Sequence, residues 1–166
     1  MSSEPSYVLD ANVFIEAARR YYAFDLAPKF WDSLIRHAVN GQIQSIDRIK
    51  KELERGNDEL AKWVKNHFTH GFASTDEPDV LSVFTEIMNW VNNENQFLEI
   101  AKADFASGPD GWLVAYAKVK GCLVVTHEAL APDAKRKVPI PNVCRAFNVP
   151  FVDTFEMLRT LGVRFA

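Results

Sequence analysis

Tyr7-Val8-Leu9-Asp10-Ala11-Asn12-Val13-Phe14 is the stretch on which the reading of this chain turns. It begins with the pattern of a short buried strand, stops on a carboxylate and passes at once into a helix pattern. In open α/β sheets, ligands sit outside the carboxyl ends of the strands, where strand gives way to helix. Asp10 at such an edge, with Asn12 two residues on, is placed to face a ligand. The other reading makes Asp10 the cap of the helix predicted from about Val13, since Asp is a favoured N-cap residue.

Outward from this stretch, helix and strand signals alternate, which predicts an α/β fold with a mainly parallel sheet in three α/β/α layers. Helices are predicted over 13–22 and from Pro28, where Phe30, Trp31, Leu34, Ile35 and Ala38 form one apolar face closed by Asn40-Gly41. A short strand over 42–45 leads to a helix through Ile46, Ile49 and Leu53 that stops at Gly56-Asn57. A helix over 58–68, a weak strand or loop over 72–75, a helix over 78–91 and a further helix to about Ala103 follow. Residues 104–109 read as a loop and 112–120 as a helix with Gly121 just past its end. Strands over 122–126 and 149–152 and a helix over 154–161 complete the chain. With no repeat or linker, 1–166 reads as a single domain.

Composition narrows the class. The 166 residues are 48% hydrophobic and 25% charged, an ordinary globular profile. No apolar run approaches the length of about 20 residues that spans a bilayer. Met1-Ser2-Ser3-Glu4-Pro5 lacks the basic-then-apolar order of a secretory signal. Cys122 and Cys144 have no metal-ligand spacing and read as reduced core residues, so a cytoplasmic protein is expected. The net charge of −3 argues against a large basic nucleic-acid surface but not against a nucleic-acid enzyme, because a carboxylate cluster itself lowers the formal charge.

Three further acidic positions join Asp10. Glu52 borders the stripe of Ile49 and Leu53 and can lie at the rim between core and solvent; a plain solvated Glu beside lysines is the alternative. Asp110 opens a helix after Ser107-Gly108-Pro109, where the helix dipole favours an acid whatever its function. Val124-Val125-Thr126-His127-Glu128 again puts a carboxylate just beyond an apolar strand. Oxygen-only ligand sets suit Mg²⁺ or Mn²⁺, and crowded carboxylates without metal repel and take up protons.

These motifs resemble PIN-domain nucleases: 8–14 the opening motif, Glu52-Leu53 the second acidic site, 110–117 the third and 125–128 the fourth. The resemblance runs from Tyr7 to about Phe155. The fourth motif departs from it, because the family more often has Asp where Glu128 stands. The tail 152–158 resembles an uncharacterised prokaryotic PIN subgroup, many of whose members look like the VapC-like toxins of toxin–antitoxin pairs. The resemblance implies a metal-dependent ribonuclease. Asp10, Glu52, Asp110 and Glu128 would hold Mg²⁺ or Mn²⁺, with Asn12 and Thr126 orienting carboxylates or water and Asp104 as an extra acid. It also implies an RNA substrate, a cognate antitoxin and a homodimer. Tyr21-Tyr22-Ala23-Phe24 has more apolar surface than a helix end needs and is a candidate homodimer or antitoxin contact, with burial under the next helix as the alternative.

Other readings stay open. A phosphohydrolase forming an aspartyl-phosphate at Asp10 usually wants a second Asp where Asn12 stands. A non-catalytic PIN-like module would use an eroded acidic site to bind RNA or protein. His67 and His70 lack a third zinc ligand in spacing and read as surface or loop residues. His127 is either structural or a substrate contact. Lys135-Arg136-Lys137, Arg19, Arg20 and Lys50 are candidate phosphate contacts.

Overall fold

The computed structural model describes residues 5–165; Met1–Glu4 of the N-terminal segment and Ala166 lie outside the described residues. Strand β1 (Tyr7–Leu9) is buried throughout, as a central strand covered on both faces must be. It pairs in parallel with β2 (Ile43–Ile46) on one side and β4 (Leu123–Val125) on the other. The outer strands are β3 (Phe72–Ala73) beside β2 and β5 (Phe151–Val152) beside β4. All pairs are parallel and the order is β3-β2-β1-β4-β5, a five-stranded sheet flanked by helices. Parallel neighbours need crossover connections, and here helices supply them.

After β1 the chain builds outward through β2 and β3, then returns to the far side of β1 to lay down β4. The direction of winding therefore reverses between β1 and β4. A cleft opens at the carboxyl ends of such a pair. Asp10 follows β1 directly, and its N–H donates to Val125 O at 3.0 Å, extending the β1–β4 pairing to the carboxylate.

The helices are α1 (Ala11–Glu16), α2 (Pro28–Val39), α3 (Asp47–Glu54), α4 (Glu59–His67) and α5 (Pro78–Asn93), then α6 (Glu99–Ser107), α7 (Asp110–Lys120), α8 (Ile140–Ala146) and α9 (Thr154–Leu161). The helix expected from Val13 begins at Ala11 and changes to a π-helical turn over Ala17–Tyr21. The loop expected over 104–109 is a correction: α6 runs to Ser107, so Asp104 stands on a helix and is exposed. The segment is rich in alanine, and only Gly108-Pro109 stops it. Helix α8 had no counterpart in the sequence reading, since Pro139 and Pro141 look like loop residues; both occupy positions at a helix start that tolerate proline.

Tyr22 and Phe24 are tied into this chain's own core. Tyr22 stacks on Phe30 at 4.3 Å and its carbonyl accepts from Trp31 Nε1 at 2.7 Å; Phe24 stacks on Trp31 at 4.1 Å. The apolar surface expected there for a contact segment shrinks to Tyr21, which is 52% exposed. Both cysteines are free and buried. Among the described residues, no helix is long and apolar enough to cross a membrane.

Candidate active site

Asp10 is almost fully buried at 2% exposure. Its side chain makes no capping bond to α1; Thr126 Oγ1 donates to its Oδ2 at 3.1 Å instead. Thr126 lies at the end of neighbouring β4, and the same hydroxyl accepts the Glu128 N–H at 3.1 Å. The carboxyl end of β1 is thereby joined to the carboxyl end of β4 through one side chain.

Asp110 reaches this place from the first position of α7. Gly111 behind it is buried against α5 and α6, where a Cβ would stand 3.0 Å from Met88 Cε and 3.1 Å from Phe84 Cε1. A Cβ at 111 would require the Met88, Phe84 or Phe105 side chain to give by a few tenths of an ångström, so glycine lets α7 start close against α5 and α6. Trp112 stacks on Phe84 at 3.8 Å and holds the same helix start laterally.

These carboxylates perturb one another. Burial raises the Asp10 carboxyl to about 8, with Asp110 and Glu128 adding repulsion; the Thr126 hydroxyl and the Ala11 amide act in the opposite direction. Burial also raises Asp110, to about 6, helped by Glu128 and Glu52 and opposed by Lys137. Negative charge is therefore in excess at this edge, with too little fixed positive charge to balance it.

Glu128 differs from its neighbours. Its Oε1 accepts the Ile140 N–H at 2.9 Å and its Oε2 accepts from Lys137 Nζ at 2.9 Å. Both oxygens are thus engaged, one by the start of α8 and one by an ion pair whose carboxylate side chain is 14% exposed. For Lys137, burial works against the charge, but the bond to Glu128 and the fields of Glu128, Asp110 and Asp10 outweigh it and raise its pKa.

Glu52 is exposed on α3 and acts on Asp110 across the cleft. Asn12 falls inside α1, and among the described residues no hydrogen bond joins it to Asp10, Asp110 or Glu128. Asp104 shares a hollow of about 100 Å³ with Asp110, Arg136 and Lys137. His127 bonds Thr154 Oγ1 at 3.0 Å through Nε2 and packs between Tyr21 and Phe155. Arg19 borders a hollow with Glu52, whereas Arg20 pairs with Glu16 and Lys50 with Glu54. Among the described residues, no three Asp, Glu, His or Cys side chains are closed into a ready metal cage, which includes the His67 and His70 region.

Arg48, Lys51 and Arg55 are candidates that the tertiary structure brings forward. They line a hollow of about 300 Å³ beside Glu52 and the Ser107-Gly108-Pro109 turn. Arg48 and Lys51 on α3 and Arg55 at its C-cap are spaced by three and four residues, and that spacing is the available signal. In the sequence Lys137 stands out only as part of a basic run; nothing in its spacing announces that the loop folds it onto Glu128.

The sheet order and the acidic switch point define a PIN-like α/β/α fold. The chain belongs to the family described as "Domain of unknown function (DUF4411)", whose model matches residues 7–165. Comparison with curated proteins finds no match. Among solved structures, a chain of VapBC2 from Rickettsia felis bound to a DNA fragment from their promoter is similar, with a TM-score of 0.58 and 12% identity over 89% of this chain and 97% of that chain. A chain of FitAcB from Neisseria gonorrhoeae has a TM-score of 0.53 and 19% identity, covering 87% and 95%. A chain of FitAB bound to an IR36 DNA fragment has a TM-score of 0.53 and 19% identity, covering 89% and 94%.

Proposed function

We propose that the protein is a divalent-metal-dependent endoribonuclease acting as the toxin of a toxin–antitoxin pair. The observation that carries the reading is the pair of acids, buried Asp10 and half-buried Asp110, raised toward protonation at the switch point of a PIN-like sheet. The donor set fits Mg²⁺ or Mn²⁺: it is all carboxylate oxygen, and it lacks the positive charge such a cation carries. Asp10, Asp110 and Glu52 would hold the ion, with Glu128 contributing through its charge while Lys137 and the Ile140 amide keep its oxygens. When bound, a hard cation supplies charge for the substrate phosphate and makes water more acidic.

This chain's own residues do the rest. Thr126 keeps Asp10 Oδ2 in one orientation, and Gly111 and Trp112 keep Asp110 at the mouth of the cleft. Lys137 pairs with Glu128 Oε2, and its charge opposes the repulsion that raises Asp110. Water attacks phosphorus, the P–O3′ bond breaks, and the products carry 5′-phosphate and 3′-hydroxyl ends. The RNA 2′-hydroxyl takes no chemical part.

Product ends test this reading. RNA incubated with Mn²⁺ should yield 5′-phosphate fragments by ligation or mass spectrometry, and a chelator should stop the reaction. Cyclic-phosphate ends formed in chelator would reject it, because they require 2′-hydroxyl attack driven by a side-chain base. The fully engaged Glu128 favours one second reading, a non-catalytic RNA- or protein-binding module; RNA binding without any cleavage in Mn²⁺ would select it.

Assembly belongs to the same proposal. Tyr21, exposed beside His127 and Phe155, sits near the acidic edge, where a second copy or an antitoxin would cover it. Light scattering at micromolar concentration should show a dimer that Tyr21→Ala weakens. A wild-type monomer would remove the homodimer.

A further inference from the structure

The hollow beside the acidic cleft is built from cations that have no acidic partner. Arg48, Lys51 and Arg55 converge there from α3 and its end, facing Ser107 and Gly108, and among the described residues none of the three forms an ion pair. Lys50, on the same helix, is paired with Glu54 at 3.6 Å. Among the described residues, Glu52 is the one carboxylate lining the hollow. In a chain of net charge −3, three cations without an ion pair gathered at one hollow form a local positive surplus complementary to an external anion.

Arg48 is also held in place. Its guanidinium lies 3.8 Å over the Trp112 ring, which stacks on Phe84, and its Nε donates to Thr75 Oγ1 at 3.1 Å. The Thr75 hydroxyl donates in turn to Asp47 Oδ1 at 2.8 Å. With Nε and one face of the group engaged, the terminal N–H donors remain available in a fixed plane, the geometry suited to bidentate binding of phosphate. The hollow shares Glu52 with the carboxylate cleft, and its Gly108-Pro109 edge leads directly to Asp110.

We propose that Arg48, Lys51 and Arg55 form a subsite for backbone phosphates of the RNA strand, next to the phosphate that is cut. The assignment rests on the ribonuclease reading for the identity of the strand, but the binding itself needs no divalent metal. Charge complementarity selects the occupant: a chain with a phosphate at each nucleotide can engage all three cations as it leaves the acidic cleft.

The test is fluorescence anisotropy of labelled single-stranded RNA with the full chain in chelator, compared across a salt series. Lys51→Ala combined with Arg55→Ala should raise Kd about tenfold or more. It should also reduce the salt slope by about 1.4, from two lost phosphates at roughly 0.7 each. Both positions are exposed, and circular dichroism would confirm the fold. Lys120→Ala, at the opposite end of α7 from Asp110 and paired with Glu77, should leave Kd within about twofold of wild type. A double variant with wild-type Kd and slope would overturn the subsite, as would a wild type that binds no RNA in chelator. An acidic peptide bound as tightly as RNA and lost in the same variant would overturn the assignment to phosphate. RNA binding lost in the variant, beside a wild type that cuts no RNA in Mn²⁺, would reject the ribonuclease reading while leaving the subsite standing.

Discussion

Asp10→Asn is expected to remove metal-dependent RNA hydrolysis, by at least about a thousandfold in kcat/KM, while making the metal-free protein more stable. A thousandfold is about 4 kcal/mol of transition-state stabilisation, a reasonable loss for a charge that both holds a cation and faces the reacting phosphate. The stability gain has a separate cause. Asp10 is buried beside Asp110 and Glu128, and the folded state raises its pKa to about 8 from an unfolded value of about 4. A raised carboxyl binds more protons folded than unfolded, so its contribution is fully present below about pH 4. It is lost as pH rises through about 8. Asp110, raised to about 6, acts in the same direction. The metal-free wild type should therefore lose Tm as pH rises over that window relative to the variant, and at about pH 8 the variant should lead by on the order of 5 °C. Asparagine retains an oxygen to accept from Thr126, so the fold has no reason to fail. Wild-type hydrolysis by the variant would take Asp10 out of the site. A fall in its Tm would instead favour a structural role for the carboxylate at the start of α1.

Ranking the acids gives the second large effect. Asp110→Asn should be as damaging as Asp10→Asn, because both carboxylates are half-buried or buried at the switch point and carry the excess charge. Glu128→Gln should be milder, about tenfold in kcat/KM, or roughly 1.4 kcal/mol. Its oxygens already serve the Ile140 amide and Lys137, and the amide of Gln can keep the first of these bonds. Steady-state kinetics on one RNA substrate with saturating Mn²⁺ decide the order. Complete loss in all three variants would mean that Glu128 exchanges Lys137 for the substrate or its cation during turnover.

The strand-to-acid transition at Leu9-Asp10, the apolar run before Thr126 and the helix start at Asp110 were all legible in the sequence, because each is a local change of pattern. Glu52 was legible only as a border position on an amphipathic helix. Asp104 was misplaced because the turn residues Gly108-Pro109 suggested a longer loop than the alanine-rich α6 allows. Tyr22 and Phe24 looked like surplus apolar surface, yet they stack on Phe30 and Trp31 of the next helix. Sequence shows that an aromatic is present but not which neighbour covers it.

The amino-acid sequence by itself determined the alternating α/β architecture, the central β1 strand and the identity of the acids, since periodicity and strand-end carboxylates are properties of short segments. Only the tertiary structure decided how those acids behave. The reversal of winding between β1 and β4 brings together Asp10 and Thr126, separated by most of the chain, and burial there raises Asp10. The fold also turns Lys137 onto Glu128, leaving that acid engaged while Asp10 and Asp110 lack a full counter-charge. The same folding sets the α3 cations beside the turn that leads to Asp110. Charge, burial and hydrogen bonding act through space over a few ångströms, and no spacing along the chain specifies which distant residue will stand there.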